Sequence, residues 1–166
     1  GNASEVYGSS FIGTYAGVNT STGYDNSFIG ANSGVANTTG TKNVAVGAAA
    51  LASNTTASSN TAIGYQAGYT NATGAQNVYV GKQAGRIELQ TANTMVGDSA
   101  GYNTQSTSGF NTFIGQGCGN TITSGSRNTI LGCYDGNTFG LDIRTSNNYI
   151  VLSDGAGNPR ATYNAT

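Results

Sequence analysis

The chain has 166 residues, of which only six are basic and seven acidic, and its net charge is −1. Such a chain lacks the basic surface that nucleic acids and anionic membranes attract, so we expect no nucleic-acid partner. No apolar run reaches the roughly 18 residues that span a bilayer, so we expect no membrane insertion. With no histidine, a Ser-His-Asp triad and a histidine metal site are excluded. The acidic residues stand singly, and we predict neither an enzyme nor a cofactor.

A glycine preceded by Ile, Val or Leu recurs along most of the chain, and an asparagine usually stands four places before it. The intervals are 17 residues, except for one of 16 that is followed by one of 18. A fixed period of this kind is typical of stacked repeats. We therefore predict an all-β protein, a parallel β-solenoid (β-roll) of about eight 17-residue coils. The repeated glycines are Gly13, Gly30, Gly47, Gly64, Gly81, Gly97, Gly115 and Gly132.

One repeat shows how a coil is expected to fold. Residues 60–64 form a short strand, a bend follows at Gly68, and Gly74 lies in a second turn. Seventeen residues are enough for two short strands and two turns. Coils spaced by about 4.8 Å would build a rod roughly 40 Å long.

Alternation along the strand separates two apolar rows, which point to opposite faces. The row of uniform, mostly β-branched residues is predicted to fill the coil interior: Ile12, Ile29, Val46, Ile63, Val80, Val96, Ile114 and Leu131. The other row varies in size and is predicted to be an exposed oligomer interface: Phe11, Phe28, Ala45, Ala62, Tyr79, Met95, Phe113 and Ile130. Because a lone solenoid has one interior, the second row predicts a homo-oligomer.

The repeated asparagines and the two cysteines have a structural interpretation. The repeated asparagines are expected to form a hydrogen-bonded ladder: Asn26, Asn43, Asn60, Asn77, Asn93, Asn111 and Asn128. Cys118 takes the place of an alanine in other repeats, so we interpret it as a small buried residue. Cys133 is out of register with it, and we place the two beyond ordinary disulfide reach.

The repeat is weakest in two places. The short interval begins with residues 82–92, where three charged residues gather, and we interpret this segment as a bulge or as a recognition loop. After Gly132 the period is lost and an apolar strand, 149–152, appears. We therefore divide the chain into a repeat solenoid, 1–136, and a C-terminal cap or transition to a further module, 137–166.

The copies NTAIGYQAGYTNATG and NTFIGQGCGNTITSGSRNTILG resemble repeats of phage tail fibres and, more distantly, the repeats in the heads of trimeric autotransporter adhesins. The resemblance covers roughly residues 9–136, although the adhesin coil is shorter. It implies a homotrimer in an extracellular or virion-surface fibre. Such a fibre spaces and presents a surface for a host glycan or protein receptor, next to other fibre modules. The segment 146–160 is also similar to sequences that often precede a self-cleaving chaperone domain in such fibres.

Tyrosines near predicted turns are the candidate receptor contacts, because their rings can stack on sugars: Tyr24, Tyr65, Tyr69 and Tyr102. Asn37, Asn54 and Asn71 each begin an Asn-x-Thr sequon and are possible glycosylation acceptors. Two other functions remain open at this point. One is a subunit of an extracellular filament or sheath without a receptor. The other is an ice-binding solenoid, which would use the hydroxyl row Thr22, Thr39, Thr56, Thr73, Thr107 and Ser124.

Overall fold

The computed structural model describes residues 7–87, 90–105 and 109–164, and within them it contains strands and turns but no helix. The chain is a parallel β-solenoid of about eight coils, as the glycine period predicts. Each coil contributes one three-residue strand. These strands are β1 (Ser10–Ile12), β2 (Ser27–Ile29), β3 (Val44–Val46), β4 (Thr61–Ile63), β5 (Val78–Val80), β6 (Thr94–Val96), β7 (Thr112–Ile114) and β8 (Thr129–Leu131).

The coils stack in chain order into one sheet. Neighbouring strands from β1 to β8 are parallel and hydrogen-bonded, with the same positions of successive repeats side by side. The irregular interval does not disturb this register, since Val78 pairs with Thr94 and Thr94 with Thr112. The missing and the extra residue are therefore absorbed outside the strands. Among the described residues each coil holds one strand and not the two for which seventeen residues leave room, and turns outside the strands hydrogen-bond from coil to coil.

The last segment extends the same sheet. The antiparallel pair β9 (Asn137–Thr138) and β10 (Leu141–Asp142) follows β8. Then β11 (Tyr149–Ser153) pairs in parallel with β8, and β12 (Pro159–Asn164) returns antiparallel to β11. The side chains of Tyr134, Ile143 and Val151 join the core of the coils. The predicted boundary at residue 136 is thus the point where the β9–β10 pair begins.

The predicted assignment of the two apolar rows to the inside and the outside is wrong. The central residue of each strand points inward and is buried from β2 to β8, whereas the residue directly before the repeated glycine points outward. Seven residues that were assigned to an oligomer interface are fully buried within the single chain: Phe28, Ala45, Ala62, Tyr79, Met95, Phe113 and Ile130. Phe11, the eighth, is half-buried at the first coil and stacks on Phe28 with ring centroids 5.2 Å apart.

Variation in size within the inward row is balanced by a second column, four places after each of the first seven repeated glycines. The third coil has leucine in this column, and the other coils have glycine: Gly17, Gly34, Leu51, Gly68, Gly85, Gly101 and Gly119. A Cβ at Gly34 would lie 2.5 Å from the ring of Phe28. Where the inward residue is only Ala45, the same coil carries the fully buried Leu51 instead. A wide range of inward side chains is therefore compatible with close packing.

The repeated glycine itself is required by the stacking. Gly47 has a φ of 132°, which L side chains rarely adopt, and a Cβ there would lie 2.5 Å from the carbonyl oxygen of Gly64. Its equivalents in the neighbouring coils have similar angles and equally close backbone neighbours. Glycine thus returns at each coil because the backbones approach one another too closely for any side chain.

The asparagine ladder is confirmed, but its bonds run to the backbone. Each ladder asparagine is buried, and its Oδ1 accepts the backbone N–H of the next one, as Asn60 does from Asn77 at 2.9 Å. The Nδ2 of Asn60 donates to the carbonyl oxygen of Gly74 at 2.9 Å. At the end of the ladder, the Oδ1 of Asn128 accepts the N–H of Tyr149, which connects the repeats to β11. The ladder therefore pairs backbone groups that the turns leave without a partner.

Candidate functional site

The outward face of the sheet, which we call the sheet face, carries one continuous apolar row beside a row that consists mostly of Ser and Thr. Its central row comes from nine parallel strands: Ile12, Ile29, Val46, Ile63, Val80, Val96, Ile114, Leu131 and Leu152. These residues are half-buried to exposed, and Ile63 is 42% exposed. A second outward row holds Ser, Thr and Val, with Ile150 at its end. At the usual strand spacing the face measures roughly 40 Å by 10 Å.

A second surface feature lies on the turn side of the middle coils, and we call it the tyrosine–arginine cluster. Arg86 stands between Tyr69 and Tyr102, with its Cζ 5.4 Å from the centroid of each ring. Its Nη1 donates to the hydroxyl oxygen of Tyr102 at 3.0 Å, and its Nε donates to Oε1 of Gln66 at 3.2 Å. The same Gln66 oxygen accepts from Gln83 at 3.1 Å. Three successive coils thus contribute to one patch of rings and hydrogen-bonding groups.

The structure brings together only part of the predicted receptor set. Tyr69 and Tyr102 share the cluster, and Tyr65 precedes Gln66 in the same coil with half of its side chain exposed. Tyr24 lies three coils earlier, just before the first ladder asparagine Asn26, and does not belong to the cluster. Sequence reasoning included Arg86 in the possible recognition loop 82–92 but did not connect it with Tyr69 and Tyr102, although steps of 17 and 16 residues place the three in one column. A cation between two rings gains about 0.5–1 kcal/mol per contact at an exposed site, so the cluster also stabilises the coils.

The sequon asparagines are not available for glycosylation in the folded chain, and that prediction is wrong. Asn37, Asn54 and Asn71 are fully buried. The Nδ2 of Asn54 donates to Oδ1 of Asn37 at 2.8 Å, and that of Asn71 donates to Gly74 O at 2.8 Å. They form a second internal amide column, which explains their regular spacing without any modification.

The hydroxyl row is partly present on the surface. Thr22, Thr39, Thr56 and Thr73 are exposed at one position of four successive coils. Ser124 is half-buried, and Thr107 lies outside the described residues. The possible recognition loop, 82–92, also lies partly outside the described residues, because 88 and 89 are not described. The hydroxyl row thus forms a narrow stripe beside the turns.

Both cysteines are free thiols. Cys118 is fully buried and donates to the carbonyl oxygen of Ile130 at 3.2 Å, which confirms its interpretation as a packing residue. Burial raises the pKa of its thiol to about 12, so the nucleophilic thiolate is not populated at neutral pH.

Three ion pairs between near neighbours join charged side chains among the described residues. Lys82 pairs with Asp98, Arg144 with Asp142 and Arg160 with Asp154. Within the described ranges no three His, Cys, Asp or Glu residues group closely enough to hold a metal ion. The part of the chain that the structure describes also contains no helix with the length and hydrophobicity to cross a membrane.

The fold and these surfaces define a repetitive β-solenoid with an apolar row on its sheet face and an aromatic patch beside its turns. No protein-family model, curated protein or solved structure matches the chain.

Proposed function

We propose that this chain is a structural and adhesive segment of an extracellular trimeric fibre, most closely of the phage tail fibre kind. The observation that carries the proposal is the sheet face, which nine strands extend along the whole stack. Its apolar row runs for roughly 40 Å along the stack, and contiguous exposed apolar surface often marks a contact site. A face of this length and regularity fits another copy of the same regular face.

The number of copies comes from the resemblance to the trimeric adhesin heads. Three straight rods with one flat apolar face each can surround a three-fold axis, so that every face contacts both neighbours. Closed cyclic symmetry of this kind is common among homo-oligomers. It would leave the turns, and with them the tyrosine–arginine cluster, on the outside of the fibre.

The cluster supports the adhesive part of the proposal. Tyr65 presents an exposed ring, while Arg86, Gln66 and Gln83 supply planar hydrogen-bonding groups within the same patch. Sugar rings combine an apolar face with a rim of hydroxyl groups, and this pattern of side chains is complementary to both. A host surface glycan is therefore the receptor we propose.

A charge on the sheet face tests the assembly. Ile63→Lys is expected to convert the assembly to monomers in light scattering, because the lysine would be enclosed without a partner. Thr73→Lys lies in the same coil but on the exposed turn side, and it should leave the assembly intact. If Ile63→Lys remains as fully assembled as the unaltered protein, the sheet face is not the contact surface.

Two other functions have distinct signatures. A filament or sheath subunit would polymerise end to end, and electron microscopy would show long filaments in place of short rods. An ice-binding solenoid is favoured only by the exposed Thr22–Thr73 stripe. It would produce thermal hysteresis that disappears when Thr39 and Thr56 are replaced by bulky residues.

A further inference from the structure

A cavity lies at the C-terminal end of the solenoid, next to the last strand of the sheet. It has a volume of about 450 Å³, and the turn between β9 and β10 forms one wall while β12 and the residue before it form the other. Four of its lining residues carry side chains that could contact a ligand: Phe139, Asn158, Arg160 and Thr162. Ligand pockets in proteins usually measure about 300–1,000 Å³, so this cavity is large enough for a small molecule.

The apolar wall carries an aromatic residue that local structure disfavours. Phe139 and Gly140 are the two residues of a tight turn, with φ values of 53° and 81°. Positive φ at both positions favours Asn-Gly, because a bulky side chain is strained in the left-handed region. Burial does not offset this strain, since Phe139 is 62% exposed. An exposed ring in a strained turn at the mouth of a cavity points to a role in binding.

The opposite wall is polar and held rigidly. The Asp154 carboxylate accepts hydrogen bonds from the backbone N–H groups of Ala156 and Asn158 and from the Asn158 side-chain amide at 3.0–3.1 Å. It also accepts from Nε of Arg160 at 2.9 Å. The amide and the guanidinium are thereby fixed in position, and the ion pair leaves this wall without net charge. A rigid and neutral polar wall favours a neutral ligand that has many hydroxyl groups.

We propose that this cavity binds a neutral saccharide. The Phe139 ring would stack on the apolar face of a pyranose, while Asn158, Arg160 and the Thr162 hydroxyl bond to its hydroxyl groups. An anionic ligand is disfavoured because Asp154 already neutralises Arg160. The site does not depend on the sheet face or on the tyrosine–arginine cluster, so it stands whether or not the chain assembles into trimers.

The test is calorimetric titration of the unaltered protein with maltotriose, cellotriose and chitotriose, three neutral oligosaccharides of different linkage and substitution. At least one of them is expected to bind. Phe139→Asn should weaken that binding at least tenfold without lowering the thermal midpoint, because asparagine suits the turn better than phenylalanine. Thr162→Val keeps the shape and β-branching of the side chain and should weaken binding several-fold through the lost hydroxyl.

Phe110→Asn is the matched control. Phe110 is also an exposed phenylalanine with a positive φ, of 60°, but it contacts Arg127 on the side of the coils and not the cavity. This variant should bind as tightly as the unaltered chain. The proposal is overturned if none of the three saccharides binds at millimolar concentration. It is also overturned if Phe139→Asn binds normally, or if Phe110→Asn loses as much affinity. Trimer formation is measured separately by light scattering, so the absence of a trimer is distinguishable from the absence of saccharide binding.

Discussion

Leu51 and Tyr79 approach Gly68 from the coils on either side of it. A Cβ at Gly68 would lie 2.9 Å from Cδ2 of Leu51 and 2.6 Å from Cδ2 of Tyr79. The inward residues of the third and fourth coils are only Ala45 and Ala62, and the two larger side chains fill the space that these alanines leave. The core is thus packed across coils as well as within them.

This packing predicts a compensating pair of substitutions. Leu51→Gly removes a fully buried side chain and should lower the free energy of unfolding by about 2–4 kcal/mol, even though glycine suits its φ of 48°. Ala45→Phe alone should overpack the coil and cost about 1–3 kcal/mol. The double variant repeats the Phe28–Gly34 arrangement and should lie within about 1 kcal/mol of the unaltered protein in urea denaturation. Costs that simply add would contradict this account of the core.

The glycine period predicts a severe effect of one methyl group. Gly47→Ala combines an unfavourable φ with a clash against the Gly64 backbone, and we expect a loss of at least about 3 kcal/mol. Gly155→Ala is the control, because an added Cβ there has no heavy atom within 4 Å. It should change the free energy of unfolding by less than about 0.5 kcal/mol. Equal effects at the two positions would show that stacking does not impose the glycine.

The asparagine ladder predicts that loss of one buried amide is costly. Asn60→Ala leaves the buried N–H of Asn77 without its acceptor and opens a cavity, so we expect a loss of about 2–4 kcal/mol. Asn103→Ala removes an exposed amide that donates to the Asn120 carbonyl, and it should cost less than about 1 kcal/mol. Thermal and urea denaturation of both variants give the comparison. A mild effect at Asn60 would mean that water replaces the ladder bond.

Acid is expected to weaken the C-terminal segment between about pH 4 and pH 2. Burial acts to raise the pKa of Asp154, but hydrogen bonds from Arg160, Asn158 and Ala156 outweigh it and lower the pKa from 3.8 to about 2. Because the folded pKa lies below the unfolded one, the stabilisation is complete above about pH 4 and is lost as the pH falls through 2. Arg144 lowers the pKa of Asp142 in the same direction.

The thermal midpoint should therefore fall over this range in the unaltered protein. Asp154→Asn should reduce the slope but not abolish it, because Asp142 still titrates. An identical slope in the variant would show that Asp154 does not contribute to stability.

The solenoid and its ladder were predictable because both depend on position in the repeat. Which of the two apolar rows faces the coil interior was not predictable. The row of Ile29 and Ile63 is uniform and β-branched, which favours a narrow coil interior. The row of Phe28 and Ala62 varies so much in size that the sequence alone favours the outside for it. Only the coil geometry shows that Gly34 makes room for Phe28 and that Leu51 and Tyr79 fill the space beside Ala62.

The surface sites were predictable only in part. The column Tyr69, Arg86 and Tyr102 follows from counting residues, although the stacking of the rings on the guanidinium does not. The cavity beside Phe139 depends on how the β9–β10 turn faces β12, which no repeat specifies. The buried sequons show the opposite case, in which a local motif suggested exposure and the repeat position determined burial.

The mass of the native particle tests the central claim most directly, because the exposed sheet face predicts self-association of the solenoid. One chain has a mass of 16.7 kDa. Light scattering of the unaltered protein at micromolar concentration should give three times that mass. A folded, stable particle of 16.7 kDa over the whole concentration range would contradict the assembly and the fibre function proposed from it.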